Sequence, residues 1–129
     1  MFQKFQAHLL KNFSDLKNQK ILLALSGGLD SSVLLSLCLK NGLNISIAHC
    51  NFQLRGKDSE DDALWIKKLA KYKKLECHIK KFDILIYAKN RKTSIQMAAR
   101  KLRYDWFNEI SIKYNYEVIL VAHHADDVL

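Results

Sequence analysis

Apolar positions along this chain recur with two different periods, and the alternation between them sets out its elements. Phe2, Phe5, Leu9, Phe13 and Leu16 return at helical spacing, predicting an amphipathic helix over residues 1–17 that lies against the core. Lys20 to Leu25 is a short continuous apolar run, the pattern of a strand covered on both faces. After Ser26-Gly27-Gly28-Leu29-Asp30-Ser31 the chain is apolar nearly all round from Ser32 to Lys40, which predicts a buried helix stopped by Asn41-Gly42. Leu43 to His49 reads as a second strand that leaves through a polar loop, His49 to Gly56.

Asp58 is a good N-cap for the next helix, with Ser59-Glu60-Asp61-Asp62 on its first turn and Lys67, Lys68, Lys71, Lys73 and Lys74 toward its far end. A helix dipole favours that order of charge without any function. Glu76 to Phe82 alternates enough for a third strand, in which His78 has no evident partner. Asp83 to Lys92 reads as a connection with a short helix. Thr93-Ser94-Ile95-Gln96 fits a capping box, and Ile95, Ala99, Leu102, Trp106 and Ile110 then trace one helical face. Glu117 to Ala122 is a fourth strand, ending at His123-His124-Ala125-Asp126-Asp127.

A leading helix followed by β-α-β-α-β-α-β predicts an α/β fold, a parallel sheet with helices on both faces. In such sheets ligands bind beyond the carboxyl ends of the strands. Three polar clusters leave there, Ser26–Ser31, His49–Arg55 and His123–Asp127, and are expected to converge on one crevice.

With 129 residues there is room for one domain, and 49% apolar residues argue a folded chain. No apolar run approaches the ~18 residues of a membrane span, and the N-terminus lacks the apolar block of a signal peptide. Cys38, Cys50 and Cys77 form no C-x-x-C pair, which fits reduced thiols and predicts a cytoplasmic location. The net charge of +8 suits a polyanionic partner such as RNA, although lysine-rich composition has the same effect.

The candidate chemistry starts at the glycine turn. Gly27 and Gly28 let backbone N–H groups approach a ligand, and the following helix points its unpaired N–H groups at the same place. Ser26 and Ser31 add hydroxyls, and Asp30 a carboxylate for a metal or a cap. The turn is neither a Walker loop nor a G-x-G-x-x-G fingerprint. His123 and Asp127 are placed to position a substrate or a magnesium ion, or are a polar strand exit and dipole residues. Arg100 and Arg103 lie three apart on one helix and suit a phosphate, or a solvated face.

Together these stretches resemble the N-type ATP pyrophosphatases, the PP-loop superfamily. Ser26 to Ser31 is similar to their pyrophosphate loop. Ala48 to Gly56, Ser94 to Tyr104 and Ala122 to Asp127 look like the tRNA(Ile)-lysidine synthetases within that superfamily, over the chain from Lys20 onward. Phe52 and Val128 depart from the family, many members of which carry histidine and glutamine there. The resemblance implies an adenine nucleotide alpha hydrolase-like, Rossmann-like PP-loop domain occupying residues 1–129 and truncated at its C-terminus. It implies ATP and Mg2+ as cofactors, isoleucine tRNA and free L-lysine as partners, and leaves a homodimer open.

By motif, Ser26, Gly27, Gly28, Leu29, Asp30 and Ser31 would grip the ATP phosphates. His49 would lie near the adenine, and Arg55 and Arg100 would add to the nucleotide site. Arg103 would meet the α-phosphate, His123 would serve the adenylation chemistry, and Asp30 and Asp127 would orient reacting groups or hold magnesium. Family members continue past the fourth strand, so the expectation is the front part of a catalytic domain, a fragment or a truncated gene product, inactive alone. The competing readings are a tRNA thiolation enzyme, whose usual cysteine pair is missing here, and a nucleotide-binding module without catalysis.

Overall fold

In a strand of alternating side-chain direction, a run such as Lys20-Ile21-Leu22-Leu23-Ala24 puts apolar groups on both faces and must be covered twice. The computed structural model, which describes residues 16–26, 29–54 and 56–121 and, of residues 29–31, the backbone, satisfies that demand. Four strands, β1 (Lys20–Ala24), β2 (Asn44–Asn51), β3 (Cys77–Lys81) and β4 (Val118–Val121), form one sheet in the order β3-β2-β1-β4. All three pairings are parallel, with Leu23 opposite Ile47 on one side and Leu120 on the other.

Helices α1 (Leu29–Lys40) and α2 (Lys57–Lys73) connect β1 to β2 and β2 to β3. They share one face, where Leu34, Leu35, Cys38, Ile66 and Ala70 pack with Ile21 and Leu23. Helices α3 (Ile84–Asn90) and α4 (Ile95–Tyr114) then carry the chain across the sheet to β4. On that second face Trp106, Phe107 and Ile110 of α4 pack with Leu22 and Ala24. A reversal of strand order moves a right-handed crossover to the opposite face, so the two-sided cover follows from the topology. It also creates a switch point between β1 and β4, where an α/β sheet opens a crevice at its carboxyl edge.

Within the described residues the predicted strands and helices are present, with their ends shifted by tertiary contacts. Strand β2 runs on to Asn51, because β3 pairs His49 with Ile79 and Asn51 with Lys81; His49 is therefore a strand residue and the loop starts at Phe52. Asp58 is not the cap of α2. Gly56 holds that position at φ 54°, its carbonyl accepting from the Glu60 N–H at 3.3 Å, and Asp58 sits within the first turn. The cap of α4 is displaced too, in the opposite direction, one residue later than the capping box predicts. Ser94 accepts from the Met97 N–H at 3.1 Å, while the Thr93 N–H is committed to the Ala88 carbonyl that ends α3.

The inward face of α4 also differs from the predicted one. Ile95 is 41% exposed and Ala98 is buried in its place, because α3 packs Ile84 and Ala88 against that first turn and only a small residue fits between. His78, expected to lack a partner, has its Nε2 2.7 Å from the Tyr116 hydroxyl and its ring against Tyr114. Of the predicted N-terminal helix, residues 1–15 lie outside the described residues, and Leu16 is buried in the first core. Among the described residues no helix is long and apolar enough to cross a membrane.

The displaced cap has a simple consequence. Ser94→Ala should destabilise the fold by about 1 kcal/mol, and Thr93→Ala by clearly less, as read from urea denaturation midpoints. Equal effects would return the cap to Thr93.

Candidate functional site

The abrupt end of β1 sets the position of the site. Leu25 still donates its N–H to the Ala48 carbonyl at 2.9 Å, and α1 has begun by Leu29. Ser26 therefore stands at the carboxyl edge of the sheet, next to the switch point. A cleft of about 190 Å³ opens there, lined from β1 by Ala24, Leu25 and Ser26, from the end of β2 by His49, Cys50, Asn51 and Phe52, and from β4 by Val121. Ser59 and Asp62 of α2 close one side, and Arg103 and Phe107 of α4 the other.

His49 is only 5% exposed. Its Nδ1–H donates to the Leu25 carbonyl at 2.8 Å, bridging β2 to the very end of β1. Burial holds the ring's pKa below the ordinary histidine value, against smaller opposing contributions from that hydrogen bond and from the Asp62 charge. The neutral ring with Nδ1 protonated leaves Nε2 as an acceptor.

The loop after β2 is fixed from within. Asn51, 2% exposed, accepts the Gln53 N–H at 3.0 Å and donates to Glu60 at 3.3 Å, and Glu60 pairs with Lys81 at 3.3 Å. The Gln53 side chain donates to the Phe82 carbonyl at 3.1 Å, with Gln53 itself held at φ 57°. These bonds present the Phe52 ring toward α4, where the Arg103 guanidinium lies over it at 5.7 Å. Phe52 in turn stacks on Phe82 at 5.5 Å, and Phe82 meets Trp106 edge-on at 6.2 Å. A cation over a supported ring keeps its planar face engaged and its N–H edge available to an anion.

Of the site residues expected from sequence, Ser26, His49 and Arg103 meet in this cleft. Arg100 does not join them. It is exposed and lies over the Tyr104 ring at 5.8 Å, because a three-residue step on a helix turns the side chain by most of a turn but not all of it. Leu29, Asp30 and Ser31 begin α1 beside Ser26, and their side chains are outside the description. Gly27, Gly28, Arg55, His123 and Asp127 lie outside the described residues.

Asn51 and Phe52 belong to the His49–Arg55 cluster expected here, whereas Ser59, Asp62 and Phe107 are cleft residues that sequence reasoning did not single out. For two of them a signal existed. Ser59 and Asp62 fall three apart in line with the inward positions Ala63, Ile66 and Ala70, so they are polar groups on the buried face of a helix. The described residues hold no cluster of three or more His, Cys, Asp or Glu that could bind a metal. The oxygen donors they bring to the cleft, Ser26, Ser59, Asp62 and Asn51, are of the hard type that magnesium takes.

Residues 1–129 match the PP-loop domain family over their whole length. The tRNA(Ile)-lysidine synthase of Porphyromonas gingivalis strain W83 is 45% identical over 107 residues, 83% of this chain and 24% of that protein. The enzyme of the same name from Bacteroides thetaiotaomicron is 41% identical over 125 residues, 97% of this chain and 29% of its own. The NH3-dependent NAD synthetase of Campylobacter jejuni superposes with a TM-score of 0.63 at 26% identity, over 92% of this chain and 55% of that one. The chain thus spans about a quarter of the length of these curated relatives.

The buried His49 makes stability depend on pH. Its folded-state pKa lies below the unfolded value of 6.5, so its contribution is complete above pH 6.5 and is lost as pH falls through the folded pKa. His78, also lowered by burial, acts in the same direction. Denaturation midpoints should therefore fall between pH 7 and pH 5. His49→Asn, which keeps a donor near Leu25 without titrating, should flatten part of that fall and His78→Asn the rest.

Proposed function

The chain belongs to the PP-loop domain family, and from that premise we propose that it binds ATP and forms the nucleotide-handling front of a tRNA(Ile)-lysidine synthetase. In the reaction, the C2 oxygen of the cytidine at the first anticodon position of isoleucine tRNA attacks the α-phosphorus of ATP, and pyrophosphate leaves. An amine of free L-lysine then attacks C2, and AMP leaves with the oxygen, giving lysidine. The observation that carries this reading is the cleft at the switch point, where the end of β1, the neutral His49 and the ring-supported Arg103 come together.

Each described residue has a part in that chemistry. Ser26 and the N-terminus of α1 supply hydroxyl and backbone donors to the ATP phosphates. His49, with Nδ1 committed to Leu25, offers an acceptor toward the base. Arg103 presents its N–H edge to the α-phosphate, which gathers negative charge as it is attacked. Arg55 would add a cation near the nucleotide, whereas Arg100, exposed over the Tyr104 ring, stays outside the cleft. The carboxylates of Asp30 and Asp127 would hold magnesium, which lends charge to the phosphates when bound, and His123 would assist adenylation.

The cysteines separate this reading from sulfur transfer. Burial pushes the Cys38 and Cys50 thiols up to about 12, and that of Cys77 upward as well. Cys50 lines the cleft, yet at neutral pH it is a thiol and not the thiolate that thiolation chemistry uses.

Two measurements test the proposal. Calorimetry of the chain with ATP and magnesium should show binding, and a folded chain that binds neither ATP nor AMP would sink it. In the complete enzyme, labelled lysine should enter isoleucine tRNA. Arg103→Ala should cut that incorporation by roughly 10²–10³-fold while leaving the denaturation midpoint little changed. Arg100→Ala, on the outer side of α4, should cost far less. Incorporation of sulfur in place of lysine would overturn the ligase assignment.

A further inference from the structure

Charge is shared unevenly along this chain. From Ile84 to Tyr104, through α3 and the first half of α4, there are six cations, Lys89, Arg91, Lys92, Arg100, Lys101 and Arg103, and no aspartate or glutamate. That one window therefore carries +6 of the chain's net +8. The helix dipole accounts for Lys89, in the last turn of α3. It does not account for Arg100, Lys101 and Arg103, which lie in the amino-terminal half of α4, where a dipole gives cations no advantage.

The topology places these cations beside the cleft. Helix α3 starts just past the carboxyl end of β3, and α4 runs back toward the amino edge, where the parallel β4 begins. Helix α3 and the first turns of α4 therefore stand at the carboxyl edge of the sheet. Tyr87 of α3 and Phe52 of the cleft pack against the same buried residues, Ile84, Ala88 and Ala98. Three guanidinium groups lie over rings in this region: Arg103 over Phe52 at 5.7 Å, Arg100 over Tyr104 at 5.8 Å and Arg91 over Tyr87 at 5.0 Å. Arg91 and Arg100 are exposed, and Tyr87 and Tyr104 are half-buried. A guanidinium laid on a ring is a flat surface edged with donors, which suits an unstacked base and the phosphate beside it.

We propose that α3 and the amino-terminal half of α4 form a docking surface for single-stranded RNA, continuous with the cleft, with Arg91 and Arg100 on phosphates and Tyr87 and Tyr104 beside unstacked bases. The placement of charge and rings carries this by itself. It rests on the ligase reading only for the identity of the RNA, the loop that holds the reacting cytidine. A base that reacts inside a cleft has left its stack, and single-stranded neighbours reach the protein with their faces free. A duplex offers phosphates without those faces and fits less well. Lys101 is held by Asp105 at 3.0 Å, which leaves the arginines, Lys89 and Lys92 for the RNA backbone. An anionic lipid surface is the poorer match. Leu85, Ile86 and Met97 are each more than half exposed, yet the cations do not rim them: three lie over rings, and one of these, Arg103, lines the cleft.

Fluorescence anisotropy of a labelled hairpin RNA with an unpaired loop, set against a fully paired duplex of the same length, tests this on the 129-residue chain. The hairpin should bind more tightly, and more weakly as salt rises. Arg91→Ala combined with Arg100→Ala should weaken hairpin binding by roughly tenfold and lower the slope of log affinity against log salt by about 0.7 for each contact removed. Lys71→Ala combined with Lys73→Ala removes the same charge at the opposite edge of the sheet, where Lys73 lies over the Tyr72 ring at 5.6 Å, and should have little effect. Tyr87→Leu, which keeps an apolar group against Ala88 and Ala98, should narrow the preference for hairpin over duplex. Without any variant, bound RNA should slow amide exchange in α3 and early α4 and not in the last turns of α2. Equal losses from the two double variants, a duplex bound as tightly as the hairpin, no RNA binding at all, or loss of binding to anionic vesicles with RNA binding intact would each overturn the proposal. Calorimetry with ATP keeps the two readings apart. Hairpin binding without ATP binding would sink the ligase reading and leave this surface standing, and ATP binding without hairpin binding would do the reverse.

Discussion

Strand β1 must be covered on both faces and paired on both edges, and the rest of the fold answers to that requirement. Its side chains alternate between two separate apolar cores, Ile21 and Leu23 in one, Leu22 and Ala24 in the other. Neither core closes unless helices pack on both faces, and neither edge is satisfied without β2 and β4. Because β4 arrives from the far side after β2 and β3 are laid down, the strand order reverses beside β1. The opening at that reversal is the cleft. Nothing about the ligand is needed to explain where the site is.

What makes the cleft chemically useful is the fixing of a few polar side chains by bonds that leave their working edges free. His49 spends one ring nitrogen on the Leu25 carbonyl and is kept neutral by burial. Arg103 rests its flat face on Phe52, and Phe52 is backed by Phe82 and Trp106. Asn51, buried with both ends of its amide engaged, holds the loop that carries Phe52. Preorganisation of this sort reduces the entropy lost when a ligand binds, so the aromatic support under Arg103 belongs to the site as much as the arginine does. Phe52, a departure from the family pattern at the sequence level, is here the shelf for the cation.

Helix α2 presents two faces of different character. Its inward face seals the sheet and supplies Ser59 and Asp62 to the cleft. Its outward face carries apolar residues flanked by acids on one side and bases on the other. Read from the chain alone, the acid-first, base-last order is fully accounted for by the helix dipole. Only when the helix is placed on the sheet does it emerge which of these charges face solvent together with Leu64, Trp65 and Tyr72.

The local pattern of the chain determined the number, type and order of the described elements, because apolar period and glycine punctuation report on the backbone without reference to distant residues. It also identified Ser26, His49 and Arg103, which meet in the cleft. Long-range packing decided the remainder. Pairing with β3 extended β2 through His49 to Asn51, and closure of α3 onto Ala98 rotated the buried face of α4. Capture of the Thr93 N–H by α3 moved the next cap to Ser94. The same packing parted Arg103 from Arg100 and placed Ser59 and Asp62 in the cleft. Each of those outcomes turns on a contact with another element or on a rotation of less than one helical turn, and spacing along a single chain carries neither.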